Sequence, residues 1–172
     1  QVSALEYGAA IDLRDVPRPE LTFWQRGQLA STDVVLLEVR PEGSDDWALV
    51  DAQTGLSTDW TQRTVDLTAF GGQVIRLRFR VNAIAPLTGG RMAAGYWIDD
   101  LAIRHGAVPV PAETATPSAT PTSTPVSLPF VETFDAGTGW TATGVWSPDM
   151  LTAHAGAGWF ADAAQRDQIS ML

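Results

Sequence analysis

The sequence predicts an all-β protein, a jelly-roll β-sandwich of two antiparallel sheets. Three observations carry this reading. Apolar and polar residues alternate over short runs, Gly- and Pro-containing turn signals separate the runs at regular intervals, and no stretch of helical length carries the 3.6-residue period. The clearest run is Val74 to Val81, with Ile75, Leu77, Phe79 and Val81 on one face and Arg76, Arg78 and Arg80 on the other. The arginine face is read as solvated and paired across strands with acids such as Asp66 or Glu38.

In chain order, strands are expected over Ala10 to Leu13, Glu20 to Gln28, Asp33 to Arg40, Trp47 to Val50, Trp60 to Leu67, Val74 to Val81 and Gly95 to Arg104. Pro41-Glu42-Gly43-Ser44, Thr54-Gly55, Gly71-Gly72 and Thr88-Gly89-Gly90 supply the turns. Trp60 to Leu67 should form a hairpin with Val74 to Val81 through Ala69-Phe70-Gly71-Gly72, where glycine permits positive φ. In Gly-Tyr-Trp-Ile-Asp-Asp-Leu-Ala-Ile, strict alternation turns Trp97, Asp99 and Leu101 one way and Ile98, Asp100 and Ala102 the other. One of the two aspartates then faces inward or lies at a sheet edge, where it needs a hydrogen-bonded or cationic partner.

Composition changes sharply from Pro109 to Pro129, where six of the eleven prolines fall among Thr, Ser and Ala. Proline fixes φ and removes donors, and almost no large apolar side chain is present, so residues 109–129 are expected to form an extended, polyproline-like linker between residues 1–108 and 130–172. The mixture is also that of O-glycosylated stalks, with Thr114, Thr116, Ser118, Thr120, Thr122, Ser123 and Thr124 as candidate acceptors. After the linker, Phe130 to Phe134, Gly139 to Trp146, Gly156 to Ala161 and Gln168 to Leu172 read as further strands, too few to bury a sheet face alone. The segment Gln168-Ile169-Ser170-Met171-Leu172 matches Gln1-Val2-Ser3-Ala4-Leu5 at three of five positions. This suggests slightly more than one period of a repeat, cut or processed from a longer chain because it begins at Gln1 with neither Met nor a leader.

Composition excludes several functions. A net charge of −9, with 20 acidic against 11 basic residues, argues against nucleic acid and anionic membrane as partners. No apolar run is long enough to span a bilayer. With no cysteine there is no disulfide framework, thiolate zinc site or cysteine nucleophile. No His-Glu-x-x-His, Gly-x-Ser-x-Gly or phosphate-loop motif occurs, and side chains on opposite strand faces could not act as paired acid and base, so no enzymatic activity is expected.

Read as Phe130 to Leu172 followed by Glu6 to Arg104, the chain carries VETFDAGTGW, TGVW and AHAGAGWF, then AIDLRDVPRPELTFWQ, WTQRTVDLTAFGGQVIRLRFRV and GYWIDDLAI. In that order it resembles a β-jelly-roll module of the MAM-like type, found in bacterial surface proteins and beside immune-inhibitor-type secreted metallopeptidases. The resemblance implies an extracellular or cell-surface location. Here the order is rotated, tail before head, which points to a structural subunit completed by a segment of a neighbouring copy, with a circularly permuted sandwich closed within one chain as the competing outcome. Such a subunit would assemble head to tail with itself into a filament or surface array. The alternative is a glycan-binding or adhesive accessory module, with Trp47 beside Asp45 and Asp46 as the exposed ring. Otherwise the seven tryptophans read as core filling. Related jelly rolls hold a cation where first and last strands meet, and Asp99, Asp100, Glu132 and Asp135 would offer the carboxylate oxygens that calcium prefers. The plainer alternative is that Asp99 and Asp100 pair only with Arg or turn amides.

Overall fold

The computed structural model describes residues 2–29, 32–82, 95–106, 128–134, 139–144, 146–149, 153–156 and 158–161. The predicted alternation becomes strand after strand in chain order: β1 Val2–Tyr7, β2 Ile11–Asp12, β3 Pro19–Gln28, β4 Val34–Pro41, β5 Ala48–Gln53 and β6 Thr61–Asp66. A 3-10 turn at Thr68–Phe70 precedes β7 Val74–Asn82. Then come β8 Gly95–His105, β9 Phe130–Glu132, β10 Trp140–Thr143, β11 Trp146–Asp149 and β12 Gly158–Ala161. Among the described residues no helix is long and apolar enough to cross a membrane.

The strands form two antiparallel sheets packed face to face, the expected β-sandwich. The first sheet has the order β10-β1-β7-β4-β5, with β2 also paired to β7; the second has β11-β12-β8-β3-β6, with β9 also paired to β8. Between them lie Leu5, Leu37, Val39, Ile75, Leu77, Phe79 and Val81 from one sheet and Leu21, Phe23, Tyr96, Ile98, Leu101 and Ile103 from the other. Phe23 and Phe79 meet edge to face across the interface at 5.1 Å. Each fully buried side chain of this size contributes about 1.5–3 kcal/mol of hydrophobic stabilisation. At one end, Tyr96 donates its hydroxyl hydrogen to Gln25, whose amide exchanges hydrogen bonds with Gln53 of the facing sheet; Gln53 donates in turn to Asp51, which Arg63 holds bidentately.

Outside the first sheet, the arginines of β7 are paired as the alternation predicts. Arg78 and Arg80 converge on Glu38 at 2.6 and 2.8 Å, and Arg76 meets Glu42 at 2.6 Å. Among the described residues Asp66 forms no ion pair with a β7 arginine; its carboxylate accepts the Thr68 amide hydrogen at 2.8 Å.

Four expectations are corrected. The β6–β7 hairpin does not form: β6 pairs with β3 in one sheet and β7 with β1, β2 and β4 in the other, so residues 67–73 cross the sandwich. Gly71 passes so close to Pro17 that a Cβ would lie 2.6 Å from its carbonyl oxygen, and Gly72 holds φ +80°. The run Gly139 to Trp146 divides at Gly144, φ +77°, into β10 of the first sheet and β11 of the second. Of the tryptophans, Trp146 and Trp159 fill the core and Trp140 packs on Tyr7 and Phe134, whereas Trp24, Trp47, Trp60 and Trp97 are half-buried. Finally, Leu101 shares the core with Ile98, contrary to strict alternation, for the reason given below.

The segment after the linker pairs with residues of its own chain: β9 and β12 with β8, and β10 with β1. Phe130, Phe134, Trp146, Trp159 and Ala161 enter the core. Most of the linker, all seven candidate O-glycan acceptors, Asp135 and residues 162–172 lie outside the described residues.

Candidate functional site

The site grows from a break in the pairing of β3 with β8. Register runs from Gln28 opposite Gly95 to Trp24 opposite Asp99, then resumes at Thr22 opposite Ala102, so three steps along β8 span two along β3. The extra residue makes a β-bulge. Asp100 adopts φ +48°, a left-handed conformation that Asp tolerates better than most residues because its short side chain bonds locally. Asp99 steadies the turn by accepting the Asp100 amide hydrogen at 2.7 Å. The bulge shifts the phase of the strand, which is why Ile98 before it and Leu101 after it both point inward. On the other flank of β8, β12 pairs with residues 96–98 and β9 with 101–103, so the two aspartates occupy the junction between those strands.

Residues 153–156, which lead toward β12, cover this junction. The Ala155 amide donates to Asp99 Oδ2 at 2.8 Å, and His154 Nδ1 lies 2.9 Å from Asp100 Oδ2. The imidazole stacks on Trp24, centroids 4.2 Å apart at 12°, and meets Trp60 edge to face at 5.5 Å. Gly158 makes the approach possible: a Cβ there would lie 2.9 Å from the Ile98 carbonyl oxygen and 3.5 Å from Asp99 Cγ. Asp99 is fully buried by accessible surface. Burial pushes its carboxyl above the usual aspartate range, against the opposing pull of the Ala155 and Asp100 amides.

The expectation that Asp99 and Asp100 project to opposite faces is therefore overturned. Ligand atoms of Asp99, Asp100 and His154 all lie within 4.8 Å of one another. Glu132 is not in that group. It sits on β9 opposite Leu101, its carboxylate accepts the Phe134 amide hydrogen at 2.7 Å, and its charge adds to the burial that raises the Tyr7 hydroxyl. Two carboxylates and one imidazole can hold a divalent cation, or can serve as a polar latch between β8 and the 153–156 loop. Sequence reading places His154 in a loop but does not join it to the aspartates: it stands 54 positions from its partner Asp100 in a Gly- and Ala-rich stretch, and no spacing rule links them.

Trp47, the expected glycan contact, lies half-buried with the guanidinium carbons of Arg78 and Arg40 at 4.0 and 5.0 Å from its ring centroid. A second aromatic surface lies around the His154 site. Arg26 stands between Trp60 and Trp97, 5.1 and 4.6 Å from their centroids, beside a shallow groove lined by Arg26, Gly27, Gln28, Thr58 and Trp97. No protein-family model matches the chain and no curated protein matches it, so the MAM-like resemblance stands on its sequence motifs alone.

Proposed function

We propose that the chain is a non-catalytic, extracellular structural module that joins copies of itself head to tail, the segment after the linker of one copy completing the sandwich of the next. One observation supports this above the others: that segment supplies strands to both sheets and five side chains to the core, yet is tethered by 21 residues of Pro-, Thr- and Ser-rich sequence. At ~3.1 Å per residue an extended tether reaches roughly 65 Å, enough to deliver the same strands to a neighbour. A head-to-tail contact that does not close into a ring propagates as a filament. The Asp99, Asp100 and His154 side chains are engaged with backbone amides, each other and Trp24, an arrangement that serves packing better than turnover.

Mixing two full-length variants tests the exchange. Trp159→Asp spoils the segment and Phe79→Asp spoils the body, so each alone should lose its near-ultraviolet circular dichroism. Their mixture should regain a signal, because one intact body and one intact segment remain between them. A mixture as featureless as its components would rule out completion between chains.

The same reading includes a structural divalent cation at Asp99 and Asp100, with His154 in the place expected for Glu132. Calcium is the ion that the two carboxylates favour, and the imidazole admits zinc. Added calcium or zinc should raise the melting temperature of the wild type and leave Asp100→Asn unmoved; no rise with either ion removes the cation.

A second reading, a glycan-binding accessory module, is favoured by the groove beside Trp97, where an indole lies next to the Arg26, Gln28 and Thr58 side chains. Neutral oligosaccharides on an array should then bind the wild type and not Gln28→Ala/Thr58→Val. Equal signals for the two proteins would dismiss it.

A further inference from the structure

We infer that residues 168–172 are a second copy of strand β1, shaped to enter the β1 slot between β7 and β10 in another copy of this chain. The inference rests on the head-to-tail reading and names the strand that would make the joint. Residues 168–172 lie outside the described residues and contribute only their sequence.

The slot selects its occupant by position. β1 is an interior strand: Ala4 lies opposite Arg80 on one side and Thr143 on the other, and Leu5 opposite Phe79 and Ala142. Ser3 and Leu5 face the core at 1% and 0% exposure, while Ala4 is only half-buried. Between Gln1-Val2-Ser3-Ala4-Leu5 and Gln168-Ile169-Ser170-Met171-Leu172 the identities fall at alternate positions, the first, third and fifth. The third and fifth are Ser3 and Leu5, both buried. The exchanges, Val for Ile and Ala for Met, fall at the second and fourth positions, and the fourth is the half-buried Ala4, which a strand turns away from Ser3 and Leu5. A chance match of five residues has no reason to follow the strand's own period.

Each buried identity answers a local demand. A Cβ at Gly144 would lie 2.8 Å from Ser3 Cβ, so the chain at residue 144 runs against this side chain and leaves room for a small one. Ser170 keeps that size. Leu5 packs in the core, and Leu172 restores the same shape. The remaining contacts recognise backbone: Thr143 Oγ1 accepts the Ala4 amide hydrogen at 3.1 Å and donates to the Ala4 carbonyl at 3.2 Å, bonds that Met171 would make equally well. One slot holds one strand, so β1 and residues 168–172 exclude each other within a sandwich, and residues 168–172 enter a neighbouring copy by displacing its β1 from between β7 and β10.

The chain has no cysteine, which makes a disulfide test clean. Position 4 lies directly opposite Thr143, at the separation that antiparallel pairs and disulfides share. A full-length Thr143→Cys variant is incubated under glutathione buffer with an amidated peptide of residues 165–172 carrying Met171→Cys. The inference predicts labelling of the thiol introduced at position 143 about tenfold above that by the same peptide with Leu172→Asp, and competition by the peptide without cysteine. Equal labelling by the two peptides, or none, overturns it. Labelling in a protein that never associates would retain the strand match and sink the assembly. Association of wild-type chains without selective labelling would do the reverse.

Discussion

Strands β7 and β8 are both interior strands, one in each sheet and flanked by partners on both sides, and they obey the alternation rule differently. In β7 the period of two runs unbroken, with Ile75, Leu77, Phe79 and Val81 buried and the arginines between them ion-paired outside. In β8 the same rule holds to Ile98, fails at the Asp99–Asp100 bulge, and resumes one residue out of phase at Leu101. The regular strand builds core and a solvated charged face. The irregular one gives up continuity and gathers two carboxylates under a loop bearing His154. Irregular backbone is where chemistry-bearing groups accumulate in this molecule, consistent with the general use of bulges to re-aim side chains.

The largest test of this contrast is Leu101→Lys. If alternation ran straight from Ile98, position 101 would face solvent and lysine would be harmless. Because the bulge turns Leu101 inward, the substitution buries an unpaired charge and should unfold the protein at room temperature, as Phe79→Lys should in β7. A cooperative melt close to that of the wild type would deny the phase shift. Next in size is Asp100→Val, which forces a β-branched residue to φ +48° and removes the contact with His154; about 2 kcal/mol should be lost, whereas Asp100→Gly should cost well under half of that. Equal losses in urea unfolding would mean that backbone strain is not the issue.

The smallest effect is in pH dependence, and there the two sheets differ in sign. The Arg76 guanidinium bonded to Glu42 holds that carboxyl below the usual glutamate range, so the unfolded chain takes the proton first. The stabilisation is present above that range and fades as pH falls through the lowered folded value. Asp99 is raised by burial, so its contribution is greatest when protonated and declines as pH rises through the raised value. Glu42→Gln should therefore flatten the acid limb of a plot of melting temperature against pH, and Asp99→Asn should steepen it. Slopes changing in the same direction would contradict the assignment.

How far each region could be read from sequence follows from the same contrast. The β7 alternation and its pairing with Glu38 were legible because strand geometry repeats every two residues, and nothing in that stretch interrupts it. The β8 phase was not: Asp-Asp carries no glycine to mark a positive φ, and the bulge follows from how β3, β9 and β12 meet β8. Likewise the Gly71-Gly72 turn reads as a hairpin locally, although Leu67 and Phe70 pack so as to carry the chain between sheets. The acidic pair was visible as a site, but its partner His154 was not, since only the tertiary course of the chain places that ring on Trp24.

The central claim, that sandwiches are completed between chains, is tested most directly by light scattering of the full-length protein over a wide concentration range. Growth of the mass in steps above 18.4 kDa, with fibres in electron micrographs of the concentrated sample, is the predicted result. A mass fixed at 18.4 kDa at every concentration would contradict it and leave a closed, single-chain sandwich.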